Sequence, residues 1–279
     1  VMIISNMKGK YMILELISQS PITPKNTPPL LFVHGAWHGA WCWDEYFLPY
    51  FAQQGYHAHA LSLRGHGDSP KTKHLFLNGI WDYVADVRQI ADQLYAEYGA
   101  YPVLIGHSMG GYVIQKYLEQ HPANGAVLLA SIPSVGTLPF TLRFILRYPH
   151  IAIQLTLRLN SYPIVADVGR SHRLFFSDDM PHEQVEKYHA KVGNESVRIL
   201  FDGGLFQTPK PKHVKSKGVP MLVVATDNDR IFPLREQKAT AKAYDAELVV
   251  IENTAHDMML EKTWQQSADA IITWLGKIA

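Results

Sequence analysis

The chain has 279 residues, 47% hydrophobic and 18% charged, a balance usual for a globular protein large enough for a sizeable core. Its net charge of +1 gives no electrostatic basis for holding nucleic acid or an acidic partner. Cys42 is the only cysteine, which excludes an intrachain disulfide, and no apolar run approaches the ~20 residues of a membrane span, so no stable membrane insertion is expected.

The N-terminal stretch VMIISNMKGKYMILELI lacks the basic start, compact apolar run and small-residue cleavage site of a secretory signal. It reads as a tail, with Met7 as a second possible start, entering a first strand at Tyr11–Ile17; a cytoplasmic location is the default expectation. Further strands are predicted at Leu30–Val33, Tyr56–Leu61, Val103–Ile105, Ala126–Ala130, Met221–Ala225 and Glu247–Ile251. Most are nearly continuous apolar runs, the pattern of strands buried on both faces. Helices are predicted between them, notably over Gly79–Tyr98 and Met109–Gln120. A terminal helix is predicted from the stripe Trp264, Ala268, Ile271, Ile272 and Leu275. Alternation of this kind predicts an α/β fold with a mostly parallel, doubly wound sheet. It stops at Pro133 and resumes near Val219. Residues 133–212 therefore read as a helical cap inserted into a core of residues 1–132 and 213–279.

The segment Val103–Leu118 (VLIGHSMGGYVIQKYL) carries the sharpest chemical signal. A buried strand runs into Gly106-His107-Ser108-Met109-Gly110 and a helix follows at once. A serine on so tight a turn needs strained backbone angles, and the flanking glycines remove the side chains that would clash. The pattern G-x-S-x-G alone is weak, but here both required elements flank it. Acyl transfer also needs two backbone N–H donors for the oxyanion. Met109, after the serine, supplies one. The loop opened by His34-Gly35 supplies the other, with Ala36 the first choice and Trp37 the second; His34 itself reads as a brace for that loop.

The combination of His34-Gly35 after a strand, LSLRGHGDSP, and Gly106-His107-Ser108-Met109-Gly110-Gly111 resembles the α/β-hydrolase superfamily. HGAWHGAWCW is similar to the plant methylesterase and hydroxynitrile lyase branch, and LSLRGHGDSP to bacterial esterases and lysophospholipases, with Ser62 where an aspartate is common. The resemblance implies an α/β-hydrolase fold and a triad in chain order serine, acid, histidine. Asp229, ahead of Arg-Ile-Phe-Pro, matches the acid, with Asp227 its competitor; His256 matches the histidine. It also implies a cap, from which Phe140, Phe144 and Phe206, together with Trp37 of the core, are expected to bind substrate.

The function so implied is hydrolysis of small-molecule carboxylic esters of short to medium acyl chains through an acyl-enzyme, with no cofactor and no metal. A thioesterase, lactonase or lipase could use the same triad. A hydroxynitrile lyase is disfavoured by Asp257 and Gly35, which stand where that branch carries lysine and threonine, and a non-catalytic binding protein by the complete triad. The oligomeric state is not legible.

Overall fold

The computed structural model describes residues 12–278, so Met7 and Tyr11, the start of the expected first strand, lie outside the described residues. The strands are β1 (Leu16–Gln19), β2 (Leu30–Val33), β3 (Ala58–Leu61), β4 (Val103–His107), β5 (Gly125–Leu129), β6 (Met221–Thr226) and β7 (Glu247–Ile251). They form one sheet in the order β1-β3-β2-β4-β5-β6-β7. Among the described residues only the β1–β3 pairing is antiparallel. Every residue of β2 through β6 is buried, as their continuous apolar runs require. The edge strand β7 is half covered. β1 is shifted from its expected place: at Glu15 the carbonyl still accepts the Ser62 amide at 3.0 Å, but the N–H donates to the Ser69 hydroxyl at 2.9 Å instead of to β3.

Helices α1 (Trp41–Asp44), α2 (Phe47–Gln53), α3 (Ile80–Tyr98), α4 (Met109–Leu118), α11 (Leu234–Tyr244) and α12 (Trp264–Ile278) accompany the strands. α3 starts where Asp82 accepts the Gly79 amide at 2.8 Å and stops at Gly99, whose φ of 72° ends the helix without strain. α12 buries Ala268, Ile271, Trp274 and Leu275, with Ile272 at the margin of the stripe. Between β5 and β6 the described residues form helices and no strand: α5 (Leu138–Arg147), α6 (Pro149–Arg158), α7 (Val168–Phe175), α8 (His182–His189), α9 (Val197–Phe201) and α10 (Pro211–Lys215). Proline stands in the first turn of α5, α6 and α10, where its missing N–H costs nothing. No helix among the described residues is long and apolar enough to cross a membrane.

The topology positions the site. From β2 the chain moves to β3 on one side, then crosses to β4 on the other. The loops leaving the C-terminal ends of β2 and β4 therefore diverge and open a crevice at the point where strand order reverses.

Candidate active site

Ser108 sits between β4 and α4 with φ 51° and ψ −115°, a conformation L-residues avoid. The elbow is held by its backbone: Ser108 N–H donates to Leu129 O at 3.0 Å, and Ser108 O accepts from Ile132 N at 3.0 Å. A Cβ on Gly106 would lie 2.6 Å from the Gly110 carbonyl, and one on Gly110 only 2.2 Å from Val33 O. The glycines are thus demanded by contact of the chain with itself and with the end of β2. The serine side chain is 9% exposed, and its hydroxyl takes no hydrogen-bond partner among the described residues.

His256 lies in the turn after β7, 1% exposed, and its Nδ1 donates to Asp229 Oδ2 at 2.9 Å. Asp229 follows β6, and its other oxygen accepts the Ile231 and Phe232 amides at 2.7 and 3.0 Å. With Nδ1–H committed to the carboxylate, neutral His256 keeps Nε2 as a bare acceptor. Phe232 and Phe175 pack against the ring, with centroids 5.6 and 6.3 Å away. Asp227, the competing carboxylate, is exposed and makes no bond to His256 among the described residues.

The loop after β2 runs directly against the elbow, since a Cβ on Gly35 would stand 3.1 Å from that of Ser108. Among the described residues the amides of Ala36 and Met109 donate to no protein acceptor. His34 spans the loop, with Nε2 accepting the Leu63 amide at 3.1 Å and Nδ1 donating to Gly35 O at 2.8 Å. Burial holds its pKa well below the ordinary histidine range, so it braces as a neutral ring.

Three further residues stand behind His256. His38 Nδ1 donates to Ala36 O at 2.8 Å and its Nε2 to Asp257 Oδ2 at 3.1 Å. Burial by itself lowers the His38 pKa, but the charge and hydrogen bond of Asp257 outweigh it and raise the pKa above the usual value. His107 Nε2 donates to His256 O at 3.0 Å, and burial pushes its pKa down to about 3. The donor atoms of His107, His256 and Asp257 lie within 4.8 Å of one another, the spacing of a metal site. Protein partners hold His256 Nδ1, His107 Nε2 and Asp257 Oδ2, while His107 Nδ1 and Asp257 Oδ1 are buried with no hydrogen-bond partner among the described residues. Sequence reasoning missed the His38–Asp257 pair. The only local signal was a charged residue beside a histidine.

A cleft opens at Ser108 and Met109, walled by Trp37, Ile132, Phe140, Phe144 and Phe232. The indole Nε1 of Trp37 donates to Ser161 Oγ at 3.0 Å, fixing one wall to the helical segment. Glu195 also lines the cleft and is bound from the core by the Tyr83 hydroxyl at 2.6 Å and by His66 at 3.0 Å. Of the four aromatic residues expected to meet substrate, Trp37, Phe140 and Phe144 line the cleft. Phe206 does not: it ends a π-helical turn, Asp202–Phe206, that leaves its ring 72% exposed.

The sequence matches the alpha/beta hydrolase family over residues 30–270. A pyrethroid hydrolase of Sphingobium wenxiniae is 26% identical over 255 residues, covering 87% of this chain and 85% of its own. A monoacylglycerol lipase of Mycolicibacterium smegmatis is 24% identical over 233 residues, covering 81% and 80%. The relatives include esterases, lipases and haloperoxidases. Among solved structures, a carboxylesterase structure from Nitrososphaera gargenis superposes with a TM-score of 0.73 at 17% identity, covering 98% of each chain.

Proposed function

The chain belongs to the alpha/beta hydrolase family, and from that premise we propose that it is a carboxylesterase-type serine hydrolase with Ser108 as nucleophile, His256 as base and Asp229 as acid. The observation that carries the reading is the 2.9 Å bond from His256 to Asp229 at the crevice edge where the strained Ser108 elbow opens into the cleft. The bare Nε2 of His256 takes the Ser108 proton as Oγ attacks the ester carbonyl. Asp229 holds the tautomer and stabilises the imidazolium. The uncommitted amides of Ala36 and Met109 face the oxyanion, each such donor being worth on the order of 10²–10³ in rate. His256 returns its proton to the leaving alcohol, then draws one from water, whose oxygen attacks the acyl-enzyme, and hands that proton to Ser108 Oγ as the bond to the acyl group breaks and the acid leaves. No cofactor takes part in these steps.

In this reading residues 133–212 act as a helical cap on a core of residues 1–132 and 213–279, and Trp37, Phe140 and Phe144 receive the apolar part of a short to medium acyl ester. The test is Ser108→Ala with p-nitrophenyl butyrate as substrate. Turnover is expected to vanish while the melting temperature is kept, and a fluorophosphonate probe is expected to label Ser108. A folded variant with near-native turnover, or labelling at another residue, refutes the assignment.

A further inference from the structure

The segment between β5 and β6 carries most of the large apolar side chains that the described residues leave exposed. On α5 these are Leu138, Leu142, Ile145 and Leu146, spaced i, i+4, i+7 and i+8 along one outer face, while Phe140 and Phe144 turn inward to the cleft. On α6, which packs on α5, Ile151 and Leu155 are buried and Ile153 and Leu157 face outward. Leu146 and Leu157 are 84% and 79% exposed. Each helix therefore has a satisfied inner face and a second apolar face that is exposed among the described residues, the kind of patch that marks an interaction surface.

Charge says what covers it. Residues 138–159 contain Arg143, Arg147 and Arg158 and no aspartate or glutamate. Arg143 is engaged by Glu236 at 2.5 Å. Arg147 and Arg158 are exposed and pair with no carboxylate among the described residues. We propose that this face docks peripherally on an anionic lipid bilayer, the leucines and isoleucines entering the acyl boundary and the two arginines meeting headgroup phosphates. A second copy of the chain fits less well, because apposing the two faces brings unpaired arginines together without an acid to neutralise them. The proposal is independent of the acyl-transfer reading, since none of the outward residues lines the cleft.

The experiment is co-sedimentation of the full chain with vesicles of phosphatidylcholine and phosphatidylglycerol, against vesicles of phosphatidylcholine alone. The protein is expected to pellet with the anionic vesicles only, and less so in high salt. The double variant Leu146→Gln, Leu157→Gln should weaken binding at least about tenfold, and Arg147→Gln or Arg158→Gln about fivefold each. All four sites are exposed, so melting temperatures should stay at the wild-type value and show that the variants fold. Failure to bind, equal binding to neutral vesicles, or a stable dimer in solution that the leucine variant dissolves would each overturn the proposal.

Discussion

Both carboxylate oxygens of Asp229 are engaged, one by two backbone amides and one by His256. Asparagine at this position keeps an acceptor for the amides, but it cannot stabilise an imidazolium and can turn its NH₂ toward Nδ1, favouring the wrong tautomer. Asp229→Asn is therefore expected to lower kcat on the order of 10³–10⁴-fold with little change in KM. Asp227→Asn, at an exposed position, should stay within about threefold. Steady-state kinetics of the two variants decides it, and the larger loss at Asp227 would reverse the assignment. The nucleophile was legible because its constraint is local, being written in Gly106, Gly110 and the elements on either side. The choice between two acids two residues apart rested on family resemblance and needed the fold to show which one reaches His256. The His38–Asp257 pair was not legible, because its members are 219 positions apart and meet only when the loop after β2 and the turn after β7 reach the same sheet edge.

At the scale of elements, buried histidines tie the stability of the sheet and its loops to pH. On β3, His59 Nδ1 meets Ser18 Oγ of β1 at 2.8 Å, and burial, with a smaller push from His57, lowers its pKa to about 4. An unfolded chain takes up that proton near 6.5, so the neutral ring contributes stability above that pH, lost as pH falls toward about 4. The size is at most about 3 kcal/mol for this one residue, and His34 and His107 act in the same direction. His38 and His66 act oppositely: burial lowers each, but Asp257 and Glu195 raise them further, so their contribution is complete below 6.5 and lost as pH rises past it. Urea melts at a series of pH values should show unfolding free energy dropping steeply below 6.5, with a shallower slope in His59→Gln. An unchanged slope would show that His59 takes no part. Most strands were readable because parallel strands buried on both faces are continuous apolar runs. Their order across the sheet was not, since apolar runs do not say which neighbour they pair with. The helical segment was read as helical but not by face: LPFTLRFILRYPHIAIQLTLRL is apolar nearly all round, and only packing separates Phe144 and Leu155 inside from Leu146 and Leu157 outside.

For the whole molecule the open question is how the core and the helical segment together bound the substrate. The walls of the cleft come from both parts, with Trp37, Ile132 and Phe232 from one and Phe140 and Phe144 from the other. The two parts are fastened by Glu195, which the core holds through Tyr83 and His66, and by the bond from Trp37 to Ser161. A space so fastened has a definite depth. Each methylene that enters it gains about 0.8 kcal/mol, close to fourfold in kcat/KM, until the chain reaches the far wall, where added carbons clash or stay in water. Across p-nitrophenyl esters from acetate to palmitate, kcat/KM is therefore expected to climb through the short chains, peak at short to medium length and fall for the long ones. Docking of α5 and α6 on a bilayer changes where the enzyme meets its substrate but not the depth of the cleft. The optimum should accordingly stay at the same chain length with and without anionic vesicles. Preference for palmitate together with strong activation at a lipid interface would mean that the cleft opens into an extended groove, and the esterase reading would give way to that of a lipase.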